Sequence, residues 1–346
     1  MTHPATSSTT RRALLAGGAA VAGLAAAGPT FAATGTGPGA HMRERATALL
    51  NAFDDQQRDR AVFPFEGNRR KAWNFMLGSR KAPGVALEDM TPDQKVAAMD
   101  LLGSGLGEAG MLKAERIMLQ QDIMRDEWGK GSPDRNRERF SVQIYGEPSA
   151  TAPWTFRFEG HHLSVTFTMV GDEIVSVTPS AFSSEPNPVP SGPHKGLVVL
   201  EEENIGRAIF GAMSPGERER ALIRASSFGN IMSTRGREAR VGAQREGIAL
   251  ADLSTGLSDE IIRLIEVFSS DNLSPALKSR EEARLREGDL MGAHFGWAGD
   301  DRGPGSIYYR ITGDTFLIEF ATLRNQPLHH HAVRHDIARN YGDHAL

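Results

Sequence analysis

The chain has 346 residues, no cysteine and a formal net charge of −4 at pH 7. The absence of cysteine excludes disulfides, thiolate metal ligands, iron–sulfur clusters and a cysteine nucleophile, so a metal ion would be held by nitrogen and oxygen atoms. Acidic and basic residues are interspersed without a basic stretch, which argues against a nucleic-acid partner.

Residues 1–33 have the composition of an export signal. Arg11-Arg12 precedes an apolar run from Ala13 to Ala27, and small residues follow it. A charged start, a short apolar core and a small-residue end are typical of such signals. The arginine pair favours the twin-arginine route over general secretion. The run is shorter than the about 20 residues that a membrane helix needs, so we expect a periplasmic or extracellular protein without a membrane span.

Helices and strands are predicted in separate groups along the rest of the chain. Thr91-Pro92-Asp93-Gln94 and Ser214-Pro215-Gly216-Glu217 each combine a capping hydroxyl, a proline and a Gln or Glu three residues after the cap, which marks a helix start. Apolar residues at helical spacing predict helices at 91–106, 112–128 and 257–268. Strands are predicted at 140–145, 155–158, 163–170, 174–178, 307–311 and 316–320. Helical segments followed by groups of strands indicate an α+β fold.

The second part of the chain resembles the first. Residues 154–167 align with residues 307–320 at an offset of 153, which matches Gly160 to Gly313. Two upstream pairs of segments align in the same order: 53–61 with 213–221, and 87–91 with 250–254. We therefore predict an internal duplication packed as one globular unit, with a connection rich in Pro, Ser and Gly between the halves. The predicted first half, connection and second half are 41–182, 183–196 and 197–346.

The first of two histidine clusters, His161-His162, follows Gly160 between two predicted strands. The alignment puts it at the same turn as Gly313-Asp314, a strong hairpin signal. On this pattern His162 opens a strand. Adjacent residues of a regular strand point apart, so both imidazoles converge on one metal ion only if a turn or bulge brings them together. Two surface turn residues are the alternative.

The second cluster, His329-His330-His331, is the stronger candidate for metal ligation. In an extended segment His329 and His331 lie on one side, and His330 faces away. A His-x-His pair, joined by His161 or His162 and by a carboxylate such as Glu319, meets the needs of one zinc, copper or iron ion. Asp336 is the candidate for orienting a ligating imidazole. The alternative is a polar loop.

Arg157 and Glu159 are the candidates for catalytic residues beside the metal. They alternate with Phe156 and Phe158 along a predicted strand, so both lie on its polar face, and a solvated surface is the alternative. The sequence has no phosphate-binding glycine loop, no Gly-x-Ser-x-Gly elbow and no His-Glu-x-x-His motif.

These motifs resemble a bacterial family catalogued as domain of unknown function 3500. The resemblance is carried by Pro153-Trp154, the run from Arg157 to Ser164, the run from Thr315 to Glu319, and His329-x-His331-x-Val333. It extends over most of the chain after the signal. The family pattern has an arginine directly before the aspartate that follows His-x-His, whereas this chain has His335 before Asp336. The resemblance implies that the paired histidines are family features, and it implies no particular reaction.

Taken together, the patterns favour an exported metal-dependent enzyme with a mononuclear, histidine-rich site. An open coordination position would activate water or bind an oxidant, and hydrolysis is favoured over oxidation. The substrate would be a small molecule or a polymer. Two other classes stay open: a non-catalytic protein that binds a metal or a small ligand, and a structural duplicated domain. The sequence does not indicate the oligomeric state.

Overall fold

A computed structural model of the chain describes residues 37–78, 80–129, 134–233, 237–300, 303 and 305–346. The predicted export signal at 1–33 lies outside the described residues. All the described residues belong to one compact unit. No helix within these ranges is both long enough and apolar enough to cross a membrane.

The helices form where the sequence supplies caps and apolar spacing. Thr91 accepts a hydrogen bond from the backbone of Gln94, whose side chain returns one to Thr91, and Ser214 and Glu217 do the same. The predicted helices at 91–106, 112–128 and 257–268 are confirmed as α3, α4 and α8. The helices are α1 Pro38–Ala52, α2 Asp55–Ala61, α3 Pro92–Gly105, α4 Glu108–Asp126, α5 Glu202–Ala212, α6 Pro215–Ala221, α7 Glu238–Gly242, α8 Thr255–Phe268 and α9 Pro275–Glu287. Short 3₁₀ turns lie at Leu87–Asp89, Leu250–Asp252, Ser270–Asn272 and Asn340–Ala345.

The strands join into one large sheet that is mostly antiparallel. They are β1 Val62–Phe63, β2 Val85–Ala86, β3 Ser141–Tyr145, β4 Pro153–Gly160, β5 Leu163–Val170, β6 Glu173–Ser176, β7 Ser180–Phe182, β8 Leu222–Arg224, β9 Ile248–Ala249, β10 His294–Ala298, β11 Tyr308–Thr312, β12 Phe316–Leu323 and β13 Gln326–Asp336. The order across the sheet is β1-β3-β4-β5-β7-β13-β12-β11-β10-β8, with β2, β6 and β9 paired beside it. The prediction that the fold combines helices with an antiparallel sheet is confirmed.

Elements recur in the same order on the two sides of the β7–β13 contact. On one side β1 lies parallel to β3, with Val62 opposite Ile144. On the other side β8 lies parallel to β10, with Leu222 opposite Trp297. Val62 and Leu222 are 160 residues apart, and Ile144 and Trp297 are 153 apart. These offsets are the ones found in the sequence alignment.

The two faces of the sheet are covered differently. Helices pack on one face and enclose the large apolar core, which includes Phe156, Phe158 and Phe320. Irregular segments that follow β1 and β8 cover the other face together with the short helix α7, and Trp73 and Ile231 belong to a smaller apolar cluster there. Alternate residues of a strand point to opposite faces, so the odd-numbered histidines of β13 lie on the face covered by these segments.

Candidate metal centre

His162 lies in the two-residue turn between β4 and β5. Gly160 is the last residue of β4, and a glycine is required there because a Cβ would meet the Phe140 ring at 2.3 Å. His162 has φ of +70°, a conformation that costs a non-glycine residue roughly 1 kcal/mol or more. Its amide donates to the carbonyl of Phe75 at 2.7 Å, and its own carbonyl accepts from Ser183 at 2.7 Å. The expectation that His162 opens a strand is wrong, because β5 begins one residue later and the turn sets its direction.

His329 and His331 lie on the same face of β13, as their spacing predicts. His330 points to the opposite face, where its ring packs against Phe320 and its Nε2 lies 3.0 Å from Glu203. β13 is held in register by backbone hydrogen bonds in both directions between His330 and Ser184. The first residues of the predicted connection at 183–196 are therefore paired with β13 and buried.

The imidazoles of His162, His329 and His331 converge, and we call these three residues the histidine cluster. The Nε2 atoms of His162 and His329 are 2.9 Å apart, and those of His329 and His331 are 3.1 Å apart. Within the described ranges, these three residues are the group whose ligand atoms all lie within 4.8 Å of one another. In a tetrahedral site with metal–nitrogen bonds of about 2.0–2.1 Å, neighbouring nitrogens are about 3.3–3.4 Å apart. Two of the three separations are therefore close to the spacing that one ion requires, and the third is at most 4.8 Å.

The other ring nitrogens of two members face oxygen acceptors. His329 Nδ1 lies 3.0 Å from Gln326 Oε1 and 3.3 Å from the Glu185 carboxylate. His331 Nδ1 lies 2.7 Å from Asn230 Oδ1. Oxygen acceptors at Nδ1 assign the proton to that nitrogen and leave a lone pair on Nε2. Such partners commonly orient metal-ligating histidines. Asn230, Gln326 and Glu185 were not predicted, because each is a single polar residue outside any motif.

Burial favours the neutral form of two members of the cluster. His162 and His331 are almost wholly enclosed, and this burial lowers the pKa of both imidazoles well below the ordinary value, with the other histidines of the site adding to the effect. Neutral imidazoles bind metal without first losing a proton. Because the Nε2 lone pairs of His329 and His331 face each other without a proton between them, a cation at their centre would relieve the repulsion.

His161 lies beside the cluster and not in it. Its ring stacks on that of His162 with centroids 3.7 Å apart. Its Nδ1 contacts Arg135 Nη1 at 2.7 Å and Gln121 Oε1 at 2.9 Å. Burial lowers the pKa of His161 well below the ordinary value, and the charge of Arg135 lowers it further. The turn therefore places the two adjacent imidazole rings face to face. Of the two, His162 directs its Nε2 at His329.

Glu319, a predicted ligand, holds a covering segment in place. Its carboxylate accepts hydrogen bonds from the amides of Met232 and Ser233, at 2.7 and 2.8 Å, and from Tyr308 Oη at 2.7 Å. These bonds fix the segment that carries Asn230, and so they support the orientation of His331 from a distance.

Glu159, a predicted catalytic candidate, has the corresponding role in the first half. It accepts from the Asn74 amide at 2.8 Å and from Ser164 Oγ at 2.9 Å. The Asn74 bond holds the segment whose next residue, Phe75, accepts the amide of His162. Burial raises the pKa of Glu159.

Arg157 and Asp336 also contact structural partners. Arg157 Nε donates to Thr166 Oγ1 at 3.0 Å, and Arg157 also donates to a backbone carbonyl of the segment after β1. Asp336, predicted to orient an imidazole, pairs instead with Arg284 at 2.8 Å on the helix-covered face. Its even number on β13 places it opposite the cluster, and the orienting contacts come from other elements.

The fold and site define a mixed α/β protein with a candidate three-histidine metal centre on the segment-covered face of its sheet. The chain belongs to the family described as "Protein of unknown function (DUF3500)", whose model matches residues 36–343, nearly the whole chain. The family resemblance predicted from the sequence is thereby confirmed. Searches of curated proteins and of solved structures find no match.

Proposed function

We propose that this protein is an exported metal-dependent enzyme that binds one divalent transition metal ion through His162, His329 and His331. The observation that carries the proposal is the convergence of their Nε2 atoms, with separations of 2.9 and 3.1 Å. Orientation of His329 and His331 by oxygen acceptors at Nδ1 supports it, as does the neutrality that burial imposes on His162 and His331.

Three protein ligands favour a catalytic ion over a structural one. Structural zinc sites take four protein ligands, whereas catalytic sites take three and leave a position for water or substrate. The side chain of His329 is 13% exposed, so one side of the cluster is accessible to solvent. A metal ion with an open position lowers the pKa of bound water and supplies a nucleophile at neutral pH.

Hydrolysis is the favoured reaction class. A set of three imidazoles without a carboxylate differs from the two-histidine, one-carboxylate set of many non-haem iron oxygenases. It matches a three-histidine set found for catalytic zinc that activates water, while copper also accepts such a site. The substrate is proposed to be a small molecule or a polymer and not a nucleic acid, since the chain has no basic stretch.

Export is proposed from the first 33 residues, whose Arg11-Arg12 pair and apolar run are typical of a twin-arginine signal. Fractionation of cells expressing the full chain tests this. Wild type is expected outside the cytoplasm, and replacement of both arginines by lysine should retain it inside. A cytoplasmic wild type would contradict export.

We also infer that the two halves, 41–182 and 197–346, arose by duplication and that 183–196 connects them. The shared strand order and the offsets of 160 and 153 between corresponding partners support this inference. The metal centre is nevertheless asymmetric. It takes His162 from the first hairpin turn, whereas the corresponding turn after Gly313 contains no histidine.

Elemental analysis of exported protein, purified without a histidine tag, tests the metal proposal. One zinc, copper or iron ion per chain is expected, and replacement of His329 and His331 by alanine should remove it. Absence of stoichiometric metal, with no uptake of added zinc, copper or iron, would overturn the proposal. A metal ion with four protein ligands and no turnover would favour the non-catalytic binding protein instead.

A further inference from the structure

The positive charge of Arg135 lies next to the histidine cluster and forms no ion pair. Its Nη1 contacts His161 Nδ1 at 2.7 Å, Gln121 Oε1 at 3.4 Å and Met124 Sδ at 3.4 Å, all of them neutral groups. No carboxylate within the described ranges pairs with it. Arg135 is partly buried, and this burial lowers the pKa of its guanidinium.

Three arginines elsewhere in the described structure contact carboxylates. Arg334 pairs with Glu281, Arg310 with Glu246, and Arg284 with Asp336. This pattern agrees with the high cost of taking a charge out of water without a partner. The guanidinium of Arg135 therefore lacks the kind of partner that the protein supplies to these three.

The surroundings of Arg135 would become more positive when a metal ion binds. The carboxylate whose charge acts on Arg135 is that of Glu185, which also contacts His329 Nδ1. A divalent ion together with Arg135 outweighs this single negative charge. Bound cations are commonly the largest local charges in such sites, so an anion is the ligand that this balance favours.

His161 connects the arginine to the cluster. A guanidinium only donates hydrogen bonds, and at His161 Nδ1 its N–H lies beside the oxygen of Gln121, which is 2.9 Å from the same nitrogen. The ring stacks directly on His162. The guanidinium of Arg135 is thus separated from the proposed metal ligand His162 by the ring of His161 alone.

We propose that the ligand of this site is an oxyanion, a carboxylate or a phosphate group, which binds the metal ion and pairs with the guanidinium of Arg135. The proposal rests on the metal-binding function above and names its substrate class. A planar guanidinium binds either group through two parallel hydrogen bonds. Arg135 is therefore a specificity residue for the negative group of the substrate.

Cobalt(II)-loaded full-length protein, titrated separately with acetate and inorganic phosphate, tests the proposal through the visible absorption of the ion. At least one of the two anions should change the spectrum of wild type, and the more effective one identifies the preferred group. Arg135→Gln should weaken binding of that anion about tenfold, and Arg135→Lys should weaken it less. Arg137→Gln is the matched control, because Arg137 pairs with Asp122.

Metal content and unfolding midpoint of each variant are measured alongside, and both should equal those of wild type. No response to either anion, or equal affinity in wild type and Arg135→Gln, would overturn the oxyanion proposal while leaving the metal site intact. If wild type takes up no metal, the proposed function fails. Calorimetry on the metal-free protein then decides the present proposal: anion binding that depends on Arg135 supports it, and its absence overturns it.

Discussion

Two groups of buried polar side chains lie on opposite faces of β13, and they differ in how their charges and lone pairs are balanced. On the helix-covered face, Arg334 pairs with Glu281, while Arg284 pairs with both Glu281 and Asp336. We call these four residues the ion-pair cluster. On the other face, the Nε2 atoms of the histidine cluster converge, with His162 and His329 2.9 Å apart and His329 and His331 3.1 Å apart.

The difference indicates separate roles for the two clusters. The ion-pair cluster has two positive and two negative charges, and it stabilises the contact between α9 and the sheet without any ligand. The histidine cluster lacks a positive charge at its centre. Buried polar groups that the protein itself does not satisfy are the ones that call for a ligand.

The largest expected effect is that of His331→Ala on metal binding. Removal of a ligand should weaken the affinity by more than the roughly 100-fold that loss of an orienting residue causes. Equilibrium dialysis with zinc measures it. His335→Ala is the matched control, because His335 is a buried histidine on the same face that contacts Ser233. Equal metal affinity in the two variants would contradict the proposal that His331 is a metal ligand.

Glu281→Gln should lower the free energy of unfolding by about 3–5 kcal/mol, because it leaves the buried Arg334 without its carboxylate. Although burial acts in the opposite direction, the charge of Arg334 and the contacts of Arg284 lower the pKa of Glu281 to about 2. Urea unfolding measures the loss. The neighbouring Glu282→Gln, which removes partly exposed pairs with Lys278 and Arg286, should cost at most about 1 kcal/mol. Loss of bound metal in Glu281→Gln would show that the clusters are not separate.

Asn230→Ala should weaken metal binding about 10–100-fold, since it removes the oxygen that orients His331. Asn230→Asp keeps an oxygen acceptor and should retain most of the affinity. Ser226→Ala, at an exposed position of the same segment, serves as the control in the dialysis experiment. If Asn230→Ala binds metal like wild type, the tautomer of His331 does not depend on Asn230.

The smallest expected effect concerns the acid sensitivity of the metal-free protein. Burial lowers the pKa of His335 from 6.5 to about 3. Between these values the unfolded chain binds a proton that the folded protein does not, so the free energy of unfolding decreases as the pH falls. One such histidine contributes about 2 kcal/mol between pH 7 and pH 5. His335→Gln should show a decrease smaller by that amount in urea unfolding at the two pH values, and an unchanged decrease would contradict the assignment.

Much of the scaffold around the site could be predicted from the sequence. The capping boxes at Thr91 and Ser214 specify helix starts through local hydrogen bonds, and alternation along β4, β5 and β12 follows from the two faces of the sheet. The hairpin glycine Gly160 and the separation of His329 from His330 also follow from local geometry. By contrast, β1, β2, β8 and β9 have only two or three residues and are too short to show a period.

The residues that support the site escaped prediction, and the physical reason is different. Asn230 and Glu185 reach the histidines through contacts between distant segments, and neither residue belongs to a periodic pattern. Glu319 had the right residue type for a ligand, but its strand position directs it at the amides of Met232 and Ser233. Asp336 has the residue type that commonly orients a ligating imidazole, but alternation along β13 puts it on the other face.

X-ray absorption spectroscopy of the metal-loaded, tag-free protein tests the central claim most directly, because it counts the imidazole ligands of the bound ion. We predict three histidine nitrogens at about 2.0–2.1 Å and one further light atom from water or an anion, for a zinc ion. In His162→Ala the count should fall to two. A wild-type ion with fewer than three imidazole ligands, or one whose coordination is unchanged in His162→Ala, would contradict the account.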